Sequence, residues 1–120
     1  MSQDFQDLTV WQRAMELTEA VYALTKTLPK DEVYGLSSQL RRASVSIASN
    51  IAEGRARATD RDFGHFLNIA LGSTYEVQTQ LLLTRRLKLG DDPKRKKAES
   101  LCIETSKMLG AFLQSLEARS

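Results

Sequence analysis

The sequence contains a single cysteine, Cys102, so no disulfide bond can form within the chain. Small secreted domains often depend on disulfides, whereas cytoplasmic proteins rarely contain them. Long apolar runs are also missing, and a transmembrane helix needs roughly 20 predominantly apolar residues. The polar, acidic N-terminus lacks the basic and then apolar order of a signal peptide. These absences predict a cytoplasmic protein that does not insert into a membrane.

Signals for β-strands are scarce as well. The chain has only two prolines, Pro29 and Pro93, and it has no Asn-Gly or Asp-Gly pair of the kind that marks a hairpin turn. Apolar residues instead recur at spacings of three and four, the period of an amphipathic helix. Four such segments follow one another, at about 9–28, 36–56, 60–89 and 93–118. We therefore predict one all-α domain over residues 1–120, an antiparallel up-down-up-down four-helix bundle.

Residues typical of helix ends support these boundaries. Thr59 and Asp62 have the spacing of a capping box at the start of the third helix. Asp92 followed by Pro93 predicts the start of the fourth helix, with Asp92 as the N-cap and Pro93 in the first turn. Gly90 is a suitable residue to follow the end of the third helix.

Catalytic and metal-binding patterns are absent from the sequence. His65 is the only histidine, so the paired Glu-x-x-His motifs of di-metal bundles cannot be present. Cys102 has no histidine at helical spacing that would activate it, and a buried, inert thiol is the expected state. The sequence therefore predicts a protein that is not an enzyme, with no catalytic residue, no metal site and no cofactor.

Positive charge is concentrated in one part of the chain. Residues 41–97 hold twelve Lys and Arg against six Asp and Glu, although the net charge of the whole chain is only +2. Cations that displace condensed counterions supply much of the affinity for nucleic acids. The residues predicted to bind RNA or DNA are Arg41, Arg42, Arg55, Arg57, Arg85, Arg86, Lys88, Lys94, Arg95, Lys96 and Lys97. The alternative is a solvated basic end, since cations in the last turn of a helix are expected from the helix dipole.

The second helix carries small or apolar residues on the side away from its core stripe. A helix that is apolar nearly all round is buried on more than one side, and a single bundle normally leaves one side of each helix exposed. We therefore predict a homo-oligomer, with tight packing inside one bundle as the alternative. The predicted interface also includes apolar residues of the first helix outside its core stripe, and it consists of Trp11, Met15, Tyr22, Val45, Ala48 and Ala52.

Four polar residues of the second and third helices are predicted to form a structural network. Arg42, Asn50, Glu53 and Glu76 would satisfy one another where the two helices pack. Arg42 has a second interpretation as a phosphate contact, and the sequence does not decide between the two.

Several segments together resemble a known family. Residues 7–17, 34–43, 45–54 and 66–81 are similar to the characteristic segments of the proteins encoded in intervening sequences of bacterial 23S ribosomal RNA genes. The resemblance implies a four-helix up-down bundle that assembles into a ring-like homopentamer. It also implies relatedness to the accessory proteins of diversity-generating retroelements, which are basic pentameric barrels that bind nucleic acid and a reverse transcriptase. No catalytic residue is carried over, because the family has none known.

The charge distribution and the resemblance together predict a non-enzymatic homo-oligomer, a pentamer, that binds RNA or DNA through its basic patches. The alternative is a protein-interaction scaffold or accessory subunit, for example of a polymerase, which does not itself bind nucleic acid. The apolar surface of the first helix favours this alternative.

Overall fold

The computed structural model describes residues 4–119, which form four α-helices and no strand. The helices are α1 (Thr9–Thr25), α2 (Leu36–Arg55), α3 (Asp60–Arg86) and α4 (Asp92–Arg119). Short 3-10 turns at Phe5–Asp7 and Lys30–Glu32 precede α1 and α2. The all-α prediction is confirmed. The molecule measures 46 × 19 × 19 Å, because the two longest helices run along its whole length.

The four helices pack in a square. α1 and α3 each pack against both α2 and α4, while the backbones of the diagonal pairs stay farther apart within residues 4–119. Each helix contributes a fully buried leucine to the shared core, and these are Leu17, Leu40, Leu67 and Leu109. Connections this short can join only neighbouring antiparallel helices. This arrangement agrees with the predicted bundle.

The two long helices, α3 and α4, begin with capping interactions as predicted, but the cap of α4 lies one residue earlier than predicted. The Thr59 hydroxyl accepts a hydrogen bond from the Asp62 N–H at 3.1 Å, as the spacing predicted. α4 begins one position earlier than predicted, because the side chain of Asp91, not Asp92, accepts the Lys94 N–H at 2.9 Å. Asp92 and Pro93 therefore both lie in the first turn, where a proline loses no helical hydrogen bond.

The end of α3 differs from the prediction. The helix ends at Arg86, and Lys88 follows in the left-handed region with φ of 56°. The Leu89 N–H donates to the Thr84 carbonyl at 3.1 Å and the Lys88 N–H donates to the Arg85 carbonyl at 3.0 Å. This is a Schellman motif in which Lys88 occupies the position that usually holds glycine.

Gly90 serves the connection between α3 and α4 instead of ending α3. Its φ is +74°, and a Cβ at this position would lie 2.9 Å from Leu28 Cδ2. The next N–H, that of Asp91, donates to the Thr27 hydroxyl at 2.9 Å. The α3–α4 connection is therefore packed directly onto the α1–α2 connection. The two connections form one continuous surface at this end of the bundle.

Cys102 is buried between α3 and α4, as predicted for an inert thiol. Its Sγ donates to the Thr74 carbonyl at 3.2 Å. Burial, with a smaller contribution from the negative charge of Glu99, raises the pKa of the thiol to about 12. The thiol is therefore protonated at neutral pH and serves as a packing group in the core.

Candidate nucleic-acid interface at one end of the bundle

The antiparallel arrangement places the ends of α1 and α3 beside the beginnings of α2 and α4. Cationic side chains lie within about two turns of these helix ends or in the two connections between them. We call this set the basic end, and it consists of Lys26, Lys30, Arg41, Arg42, Arg85, Arg86, Lys88, Lys94, Lys96 and Lys97. Lys26 and Lys30 were not predicted from the sequence, and the other eight were.

Most carboxylates at the basic end already have structural partners. The Glu32 side chain accepts the Leu36 N–H at the start of α2 at 3.2 Å, and Asp91 caps α4. Asp92 and Glu99 both pair with Arg95. The ten cations of the basic end also outnumber these four carboxylates and the remaining one, that of Asp31. The exposed cations therefore produce a positive field at this end.

Arg95 was predicted to contact nucleic acid, and the structure corrects this prediction. Its side chain is buried, with 4% of the residue exposed, because it lies on the core-facing side of α4. The guanidinium pairs with Asp92 one turn before it and with Glu99 at 3.3 Å one turn after it. Arg95 is therefore a structural residue, while its neighbours Lys94, Lys96 and Lys97 remain exposed.

Arg41 is held in place by α1. Its Nε–H donates to the Thr25 hydroxyl at 2.7 Å, and its guanidinium carbon lies 4.4 Å from the centre of the Tyr22 ring. These contacts use one N–H group and one face of the guanidinium. The terminal Nη groups have no acceptor within residues 4–119, so Arg41 offers an oriented fork for an anion.

Arg55 and Arg57 lie at the opposite end of the bundle. Arg55 is 13 residues beyond Arg42 on the same helix, which corresponds to about 20 Å along its axis. The Arg57 Nε–H donates to the Glu53 carbonyl at 3.2 Å, and its guanidinium carbon lies 5.0 Å from the centre of the Phe66 ring. The structure therefore separates these two arginines from the other predicted contacts, and Arg57 closes the end of α2.

The predicted network of four polar residues does not form. Within residues 4–119, no hydrogen bond or ion pair joins any two of Arg42, Asn50, Glu53 and Glu76. The Asn50 amide instead donates to the Ser46 carbonyl of its own helix at 2.8 Å. Arg42 is exposed at the basic end. Its charge is therefore free to meet a ligand.

The predicted oligomer interface has one member that the structure places elsewhere. Ala48 is buried, with 7% of the residue exposed, and it belongs to the core of a single bundle. Trp11 is partly buried, and its ring packs edge-on against Phe5 with 5.3 Å between ring centres. Ala52 is also partly exposed.

The other predicted interface residues share one surface. Met15, Tyr22 and Val45 are exposed apolar side chains. The Thr18 hydroxyl donates to the Ser44 carbonyl at 3.2 Å, which fixes how α1 and α2 lie side by side. With this register and 100° of rotation per residue, the three side chains lie on the outer side of the α1–α2 pair.

The remaining candidate chemistry concerns metal ions, the single histidine and insertion into a membrane. In residues 4–119, no three His, Cys, Asp or Glu side chains are grouped so that they could hold a metal ion. His65 is exposed and packs edge-on against Phe66, with 5.5 Å between ring centres. Over the same residues, every helix is too short or too polar to span a lipid bilayer.

Comparisons with known proteins identify relatives of the whole bundle. A sequence model of the 23S rRNA-intervening sequence proteins matches residues 6–111. A crystal structure from Bacteroides thetaiotaomicron VPI-5482, described as a protein with unknown function from the S23 ribosomal protein family, is 25% identical with a TM-score of 0.80. The similarity covers 88% of this chain and 98% of that one. No curated protein sequence matches the chain. Because the sequence model covers the first three helices and most of α4, the chain belongs to the family of 23S rRNA-intervening sequence proteins.

Proposed function

We propose that the protein is a non-enzymatic homo-oligomer of the cytoplasm, a pentamer, that binds RNA or DNA through its basic end. The observation that carries this proposal is the set of exposed cations at one end of the bundle, where four of the nearby carboxylates are held by other groups. The resemblance to the intervening-sequence family implies the pentamer, and it also implies relatedness to the accessory proteins of diversity-generating retroelements. Both belong to this proposal.

The geometry of the basic end suits phosphate contacts. Its cations come from four helix ends and two connections, so they spread over a surface and do not line a single deep pocket. Such a surface follows a phosphate backbone and carries no information about base sequence. Arg85 has only a long ion pair, 3.9 Å to Glu99, and half of its side chain is exposed. A surface pair of this kind contributes little to stability and is easily exchanged for a phosphate.

Binding to a structured RNA should depend strongly on salt. If four to six cations contact phosphates, raising the salt concentration from 50 to 200 mM should weaken binding by about 100-fold or more, because each contact releases condensed counterions. The double variant K94E/K96E should weaken binding at low salt by at least about tenfold and flatten the salt dependence. Filter binding or fluorescence anisotropy measures both quantities.

A matched control separates local contacts from net charge. The double variant R61E/K107E changes the net charge equally, but both residues are exposed and lie away from the basic end. It should bind the RNA within about twofold of the wild-type protein at 150 mM salt, where distant charges are screened. Equal losses in the two double variants, or no salt-sensitive binding at micromolar wild-type protein, would contradict the proposal.

The outer side of the α1–α2 pair supports the oligomer. Met15, Tyr22 and Val45 are exposed there, and Trp11 and Ala52 are partly exposed. Several exposed apolar side chains on one side of a bundle are typical of an association site. Light scattering coupled to size exclusion should give a mass close to five times the 13.5 kDa of one chain. The variant V45E should reduce that mass, and Q39E on the same helix should not. A monomeric wild-type protein would contradict the oligomer.

The alternative function is that of a protein-interaction scaffold or accessory subunit. Exposed apolar side chains along α3 favour it, among them Ile69, Tyr75 and Leu83. A scaffold of this kind would bind neither RNA nor DNA. The salt titration of the wild-type protein therefore separates the two functions.

A further inference from the structure

A groove lies between the end of α1, the α1–α2 connection and the beginning of α2. Its volume is about 480 Å³, within the range of about 300–1,000 Å³ that is typical of sites for small molecules. Lys26, Lys30, Arg41 and Arg42 contribute its cationic lining, and no acidic residue lines it. The groove is therefore an open cationic cavity of the basic end, on its α1–α2 side.

The cations of the groove are available to a ligand. Within residues 4–119, none of the four forms an ion pair with a carboxylate. Arg41 is held by Thr25 and Tyr22 with its terminal nitrogens free, so it needs little reordering when an anion binds. The connection contains two carboxylates, those of Asp31 and Glu32, and neither residue lines the groove. Glu32 accepts the Leu36 N–H at the start of α2. An anion in the groove would meet unopposed positive charge.

Tyr34 stands at the edge of the same groove and is 96% exposed. Val33, the residue before it, is also exposed. The connection ends at Gly35, where the Glu32 side chain leaves little space, because a Cβ on Gly35 would lie 2.8 Å from Glu32 Oε1. The aromatic ring contributes nothing to the core of the bundle. A fully exposed aromatic face beside unpaired cations is the combination on which proteins stack the bases of single-stranded nucleic acids.

We propose that this groove holds one unpaired nucleotide of a single-stranded RNA or DNA segment, with the base stacked on Tyr34 and the adjoining phosphate bound by Lys30, Arg41 and Arg42. The inference rests on the proposed function and deepens it, because it assigns single strands to the groove. The exposed lysines of α4 would contact the phosphate backbone of single strands and duplexes alike. Paired bases cannot reach the ring without unstacking. The groove therefore distinguishes single strands from duplexes, although the phosphate contacts elsewhere do not.

Tyr34→Ala tests the stacking contact. Fluorescence anisotropy would compare a labelled 12-nucleotide single strand with a 12-base-pair duplex of the same sequence, at equal salt. We expect the variant to weaken single-strand binding by about tenfold, as base–aromatic stacking predicts, and to leave duplex binding within twofold of the wild-type value. Tyr34→Phe keeps the aromatic face and should bind like the wild-type protein. Because Tyr34 is exposed, neither change should affect folding.

Tyr75→Ala is the matched control, since Tyr75 is an exposed tyrosine on α3 and does not line the groove. It should bind both oligonucleotides like the wild-type protein. If Tyr34→Ala binds the single strand as tightly as Tyr75→Ala does, or weakens both oligonucleotides equally, the groove assignment is overturned. The proposed function then still stands, provided that wild-type binding is salt-sensitive. A wild-type protein that binds neither oligonucleotide overturns both.

Discussion

Replacing Gly54 by alanine should lower the free energy of unfolding by about 2–3 kcal/mol, within the range measured for overpacked cores. Gly54 lies near the end of α2 where α3 crosses closely. A Cβ on this residue would lie 2.8 Å from Phe66 Cβ and 2.9 Å from Phe63 Cδ1. The Phe63 carbonyl oxygen would be 3.2 Å away, and a backbone atom within a helix cannot move aside as a flexible side chain can. Urea denaturation followed by far-UV circular dichroism measures the change.

Replacing other helical glycines by alanine should instead raise the free energy of unfolding. Gly72 in α3 and Gly110 in α4 are also inside helices, but a Cβ there would meet no atom within 4 Å. At such positions, alanine should stabilise the protein by about 0.5–1 kcal/mol, because it loses less backbone entropy than glycine on folding. A Gly54→Ala protein as stable as Gly72→Ala would show that α2 and α3 do not approach as closely as described.

Arg95→Ala should destabilise the protein by about 3 kcal/mol, because it removes buried charge-assisted hydrogen bonds and leaves a partly buried carboxylate without its partner. That carboxylate is Glu99, whose side chain is only 18% exposed and would keep only its long ion pair with Arg85. Arg95 itself also fills space beside Ala98 and Cys102, which are fully buried. Thermal or urea unfolding gives the stability.

The neighbouring residue provides the control for this prediction. Lys96→Ala removes the same charge from an exposed position, so stability should change by no more than about 0.5 kcal/mol. At a temperature where both variants are folded, only Lys96→Ala should weaken RNA binding. If Arg95→Ala unfolds at the wild-type urea concentration but loses RNA affinity, Arg95 is a ligand contact and not a structural residue.

Helical periodicity was sufficient to predict the architecture, because the core is built from apolar residues at spacings of three and four on every helix. The helix boundaries were predicted less accurately. α3 ends at Arg86 and not at residue 89, because Lys88 adopts a backbone conformation that glycine usually takes. Sequence reasoning assigned that role to Gly90. Glycine is preferred after a helix end only statistically. In this chain glycine is needed at position 90 instead, because a side chain there would collide with Leu28.

The candidate interface was harder to predict because a run of basic residues does not reveal which way each one points. Arg95 lies three residues before Ala98 and seven before Cys102, so it falls on the buried stripe of α4. That spacing was present in the sequence and could have separated Arg95 from its neighbours. The exposure of Tyr34 had no such signal, because the connection that carries it has no periodic pattern. Only the fold shows that Lys26 and Lys30 share its groove.

The concentration of positive charge at one end makes the two ends of the 46 Å bundle electrostatically different. Rotation about a ring axis parallel to the helices maps each subunit onto the next without turning it over. Every copy in such a ring therefore presents its basic end on the same rim. In the proposed pentamer, a polyanion bound to one subunit would lie close to the basic ends of the others, so five weak contacts would combine into tight binding through avidity. An antiparallel dimer, in contrast, would place its two basic ends on opposite sides and lose this advantage.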